Sequence, residues 1–146
     1  MTTAALRKHV LHAVATASSL SALVALLDPD RVATVMGLFL VGVNGYSQFY
    51  AIYVGVRLAT AALALSAARH GDQPLLTDLT AMFLLAQPAG RLAVASVIGL
   101  PQGSLLVVSV VEVIAGVLLL ALRPAPTNAP RRPDDTRPPN HSTPPR

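Results

Sequence analysis

Apolar residues run through this chain in long blocks rather than alternating with polar ones, and short polar or glycine–proline breaks separate the blocks. A helix needs about 20 mostly apolar residues to cross the hydrocarbon core of a bilayer. Val10–Leu27 is the first block; His12, Thr16, Ser18, Ser19 and Ser21 dilute it, and Arg7, Lys8 and His9 precede it. Arg7 and Lys8 ahead of a short apolar run, with Ala15-Thr16-Ala17 behind it, also imitate a signal peptide. The strongest apolar stretch, Leu23–Leu27, follows that site, which favours a retained helix. Asp28-Pro29-Asp30-Arg31 closes the block, because proline and its neighbours favour a turn. Val32–Val43 is apolar but only about a dozen residues long, too short to span. Asn44-Gly45 ends it, and the pattern predicts a re-entrant or interfacial helix there. Tyr50–Ala68, Leu75–Val97 and Ser104–Leu122 are the second, third and fourth predicted spans. Arg69–Pro74 separates the first two of these, and Gly99-Leu100-Pro101-Gln102-Gly103 the last two.

The predicted fold is therefore all-α, an integral membrane four-helix bundle over residues 1–123. From Arg123 onward the composition changes abruptly: Pro124, Pro126, Pro130, Pro133, Pro138, Pro139, Pro144 and Pro145 leave no run long enough to fold. Residues 124–146 read as a disordered, proline-rich basic tail. Only 12% of the whole chain is charged, about half the share of a soluble domain. The charges concentrate at the two ends, so the middle has no charged surface to keep it in water.

The net charge of +4 does not indicate nucleic acid. Arg123, Arg131, Arg132, Arg137 and Arg146 have no interleaved aromatic residues, which makes a poor phosphate-tracking surface. Anionic lipid headgroups are the expected partner. The cationic flanks also set an orientation. Arg7 and Lys8 precede the first span, Arg69 follows the second, and the tail arginines follow the fourth. The positive-inside rule then places both termini of this multi-pass protein on the cytoplasmic side of its membrane. The chain has no cysteine, which excludes disulfides and thiolate chemistry. No zinc-protease pair, phosphate-cradling loop or nucleophile elbow is present, so neither a metal nor a cofactor is expected.

Charged groups inside a span need a reason, since each costs roughly 2.5–3.5 kcal/mol on insertion scales. Arg57, Asp78, Arg91 and Glu112 are such groups. On the predicted boundaries Arg57 lies about seven and Glu112 about eight residues into parallel helices, within a couple of ångströms of one depth. Arg91 comes close to that depth from the opposite direction, whereas Asp78 belongs to the inner end. Arg57, Arg91 and Glu112 are the expected charge cluster, with Glu112 paired to one or both arginines. Gln87, one turn before Arg91, points to the same side, and Asn44 and Gln48 are candidates to line a pocket beside it. Three outcomes are open. The charges fix helix register, or they form a pocket for a headgroup, quinone or small anion, or Arg91 snorkels to the interface. Tyr46, Tyr50 and Tyr53 are read as an interfacial belt.

Ala51-Ile52-Tyr53-Val54-Gly55, Gly90-Arg91, the Gly99-Leu100-Pro101 turn and Glu112 resemble the pattern of a bacterial family of four-helix membrane proteins known as a domain of unknown function, within the broader DoxX-like group. The resemblance covers about Leu27 to Leu122. Members often carry a glutamate and an arginine where this chain has Gln48 and Tyr50; Val54 replaces a glycine, and Ile98 an acidic residue. The resemblance implies a four-helix bundle and leaves the chemistry open. The expected function is a non-enzymatic bundle that binds a lipid or a partner membrane protein, or forms a homo-oligomer. The alternatives are a membrane subunit of a quinone-linked redox system and a small oligomeric transporter.

Overall fold

The computed structural model describes residues 2–123, all-helical apart from short connections and without a strand among them. The tail expected over 124–146 lies outside the described residues. The elements are α1 (Thr3–Leu27), α2 (Pro29–Val35), α3 (Gly42–Tyr50), a π-helical segment (Ala51–Val56), α4 (Arg57–Arg69), α5 (Pro74–Ala93), α6 (Ala95–Ile98) and α7 (Gly103–Ala121).

α1 begins where the Thr2 hydroxyl accepts from the Ala5 amide, satisfying one of the free N–H groups of a helix start. It runs unbroken through Ala15-Thr16-Ala17 to Leu27. Its buried residues (Leu11, Val14, Ala15, Ser18, Ala22 and Ala25) recur every three or four positions and form one face. That face packs along α4, which answers with Ala61, Ala64, Ala67 and Ala68. Small residues on both sides let two backbones approach closely, the usual means of helix association where water supplies no hydrophobic drive. Asp28 then serves two helices: its amide closes α1 on the Val24 carbonyl, and its carboxylate accepts from the Arg31 amide to start α2. Pro29 sits in the first turn of α2, where its missing N–H costs nothing.

The expected helix over 32–43 is corrected. Regular structure ends at Val35, and residues 36–41 are non-helical. Gly37 and Gly42, at φ +72° and +63°, turn the chain at either end of this strap, a backbone region with little strain only for glycine. Asn44-Gly45 does not break the chain either; it lies in the first turn of α3. One glycine inside a helix costs only about 1 kcal/mol, whereas Gly42 needs a left-handed backbone, so the break falls there. The second long helix therefore starts earlier than expected, and Gly42–Arg69 is continuous over 28 residues.

α4 packs against α5, α5 against α7, and α7 touches α1 more sparsely. One core cluster draws on all four: Leu11, Val14 and Ala15 from α1, Ala64 and Ala67 from α4, Leu84 from α5 and Leu119 from α7. A second, smaller cluster joins Ala25, Ala33, Phe49 and Tyr53. Thr3–Leu27, Gly42–Arg69 and Gly103–Ala121 are long and apolar enough to cross a membrane, with no more than 33% of each apolar window buried inside the protein. Leu23, Leu58, Val107, Val110, Val111 and Ile114 are among the large side chains on the outside. A soluble surface rarely carries so much contiguous apolar area; lipid accepts it. α5, at 20 residues, is long enough but carries Asp78, Gln87, Pro88 and Arg91, and it is flanked by α4 and α7.

The tightest approach is α5 on α7. A Cβ placed on Gly116 would lie 2.6 Å from Leu85 Cγ and 3.3 Å from the Ala81 carbonyl oxygen. Gly116→Val is expected to destabilise the fold by about 1–3 kcal/mol through overpacking, and Leu85→Ala in the same chain to recover part of it. Unfolding in detergent micelles followed by far-UV circular dichroism checks this; an unchanged midpoint for Gly116→Val would show that the helices do not meet there.

Candidate functional site

The π-helical segment sets up the site. A step of four residues overshoots the 3.6-residue turn of an α-helix, so residues four apart drift around it. The wider turn over Ala51–Val56 takes up that drift and keeps Phe49, Tyr53 and Arg57 on the inward face, where all three are buried. Phe49 and Tyr53 stack with centroids 4.7 Å apart. Such π turns recur at functional sites.

Below Tyr53, Arg57 reaches across to Glu112 on α7, with Nη2 2.6 Å from Oε1. Arg91 on α5 approaches the other oxygen, with Nη1 3.1 Å from Oε2. Arg91 is held further by the Ser109 hydroxyl at 2.8 Å and by Gln87 Oε1 at 3.3 Å, to both of which its guanidinium donates. Ser109 in turn donates to the Leu105 carbonyl at 2.7 Å. Glu112 is 4% exposed and the Arg57 side chain 9%, against 20% for Arg91. The Arg57 contact is ionic without being an aligned hydrogen bond: Glu112 Oε1 and Arg57 Nε have no hydrogen-bond partner among the described residues. Along α4 and its lead-in, Arg57 falls between Tyr53 of the second core cluster and Ala64 of the first. The charges thus form a polar layer between two apolar ones.

Among the described residues two cations share one anion, so the layer carries one surplus positive charge. It borders a pocket of 680 Å³ between α3, α5 and the 36–41 strap. Gln48, Gln87 and Arg91 supply the polar part of its wall, and Leu38, Ile52, Val56 and Leu105 are among the apolar part. A smaller cavity of 240 Å³ between α1 and α7 reaches Arg57 and Glu112 from the other side, and Tyr53 lines both.

Arg57, Arg91, Glu112 and Gln87 are thus brought together, and Gln48 lies on the same pocket. Asn44 is exposed and does not line it. Asp78 lies at the other end, 2.9 Å from Arg123. At that end too, Arg7, buried despite its charge, donates to the Gly71 carbonyl at 2.6 Å. Sequence reasoning missed two residues. Ser109 stands three before Glu112 in an otherwise apolar helix, a spacing that already put it on the same face. Tyr53 reads as interfacial but is buried and stacked; Tyr46 and Tyr50 are the partly exposed ones, and Tyr46 donates to Asp30 at 2.6 Å. No protein-family model matches the chain, and no curated protein or solved structure shows significant similarity to it.

The geometry ranks the two arginines. Without Glu112, Arg91 keeps Ser109 and Gln87, whereas Arg57 keeps no acceptor. Glu112→Gln is expected to destabilise the protein by up to about 3–5 kcal/mol, the effect of stranding a buried charge. Adding Arg57→Gln should recover more of the loss than adding Arg91→Gln. Chemical unfolding of the single and double variants tests this, and additive losses in both doubles would rule out the coupling.

Proposed function

We propose that this is a four-span inner-membrane protein of bacterial type with both termini in the cytoplasm, which uses the surplus positive charge of its polar layer to hold an anionic lipid headgroup. The observation that carries this reading is the two-to-one pairing of Arg57 and Arg91 with Glu112 beside the 680 Å³ pocket. A fully neutralised layer would serve only to fix helix register. Here both arginines contact the one carboxylate and the layer keeps a net positive charge; Arg91 is the more exposed of the two and borders a largely apolar pocket. That combination suits a molecule with an anionic head and an apolar body.

The fourth span in this reading is α5. Its charges are those that make it the least apolar of the long helices, and both are paired: Arg91 with Glu112, Asp78 with Arg123. Pairing relieves the cost of placing them at membrane depth. Arg7, Lys8, Arg69 and Arg123 all fall at one end of the molecule, which the positive-inside rule makes cytoplasmic. The polar layer then sits in the outer half, facing the outer leaflet. The resemblance to DoxX-like four-helix proteins implies the same arrangement.

Two measurements test the proposal. Topology reporters fused after Pro101 and after Arg123 are expected on opposite sides of the membrane, the first outside; both on one side would sink the four-span arrangement. Mass spectrometry of the protein purified with its native lipids should find an anionic lipid retained by the wild type and depleted in Arg91→Gln. Equal lipid content in the two would remove the layer from any role in binding.

A further inference from the structure

The pocket beside Arg91 also constrains which anionic lipid it takes. We infer that it accepts a single-chain amphiphile with one anionic head, a fatty-acid carboxylate or a lysophospholipid phosphate, rather than an intact two-chain phospholipid. This inference rests on the lipid-binding reading above and narrows it.

Charge is the first constraint. Among the described residues Arg91 is the one charged residue on the pocket wall, and its layer has a surplus of one, which neutralises one monoanionic head. Gln48 and Gln87 flank it and add amide donors suited to the oxygens of a carboxylate or phosphate. These three side chains suit a head, and the rest of the wall is apolar apart from the Tyr53 hydroxyl.

Volume is the second. A methylene group fills about the space of a water molecule, ~30 Å³, so the 680 Å³ pocket holds on the order of twenty such groups. One long acyl chain with its head fills that space, and the second chain of a phospholipid would find no wall there to pack against.

Access is the third. Leu38, Phe39 and Leu40 of the strap line the pocket, and Phe39 is 94% exposed. The strap is non-helical between Gly37 and Gly42, so an apolar rim faces outward where a chain would enter from the outer leaflet. Gly90 adds a fourth point. It lies on the pocket wall one residue before Arg91, and a Cβ built on it meets nothing within 4 Å. A helix interior favours alanine over glycine, and no neighbouring atom requires the glycine. The space over it belongs to the pocket.

The test uses the full chain in nanodiscs of zwitterionic lipid with chain-labelled spin-label stearate, at alkaline pH where the carboxyl is ionised. Electron paramagnetic resonance should resolve an immobilised fraction beyond that of spin-labelled phosphatidylcholine. Arg91→Gln should reduce it at least fivefold, and Arg91→Lys should keep most of it. Gly90→Leu should abolish it with an unchanged or raised Tm, which separates occupancy of the pocket from folding. Displacement by unlabelled palmitate or by palmitoyl lysophosphatidylglycerol, both monoanionic at this pH, supports the inference, and the stronger competitor identifies the head. Equal displacement by methyl palmitate would overturn it, since charge would not be read. Equal, Arg91-dependent immobilisation of spin-labelled two-chain phosphatidylglycerol would overturn the single-chain inference while leaving the lipid-binding reading intact. Absence of an immobilised fraction for every label would overturn both.

Discussion

Glu112 is the one acid through which three helices meet. α7 carries it, the helix leading through Arg57 supplies one guanidinium, and α5 supplies the other. Apolar packing alone leaves these helices many near-equivalent rotations and offsets, because lipid is as apolar as the side chains it would replace. An ion pair in a low-dielectric layer is far less tolerant of displacement. The inward rotation of Arg57 through the π-helical segment and the Ser109 and Gln87 brackets on Arg91 both serve that contact.

The sequence made part of this legible for simple reasons. Charges are so rare between Val10 and Leu122 that Arg57, Arg91 and Glu112 stand out, and helix length converts their positions into depths. Equal distance from the helix starts is not what brings them together. Arg57 lies ~22 Å from the start of its helix at Gly42, and Glu112 ~14 Å from Gly103, at about 1.5 Å per residue. The residues meet because the first turns of α3 extend past the start of α7, not because both helices begin at one plane.

What was not legible depends on backbone states that composition does not encode. Asn44-Gly45 is a turn signal on its own, yet the chain turns at Gly37 and Gly42 and lets Gly45 stay helical. A π-helical turn has no residue signature that separates Ala51–Val56 from ordinary α-helix. Its effect on Tyr53 therefore could not be foreseen, and an interfacial tyrosine became a buried wall between two cavities. The Gly116 contact was hidden for a related reason: a lone glycine in an apolar helix says nothing about which neighbour presses on it.

The composition of α5 bears on how the protein is made. α1 and α7 have enough apolar character to leave the insertion machinery for the bilayer singly, whereas α5 exposes Asp78, Gln87 and Arg91 until its partners arrive. Both of its charges are matched by residues at or just beyond α7, and the Gly99–Gly103 connection keeps that helix adjacent. On the four-span arrangement, α5 and α7 would therefore partition as a hairpin. Synthesis would have to proceed past Arg123 before the third span is secure, which makes the last helix a checkpoint for the one before it.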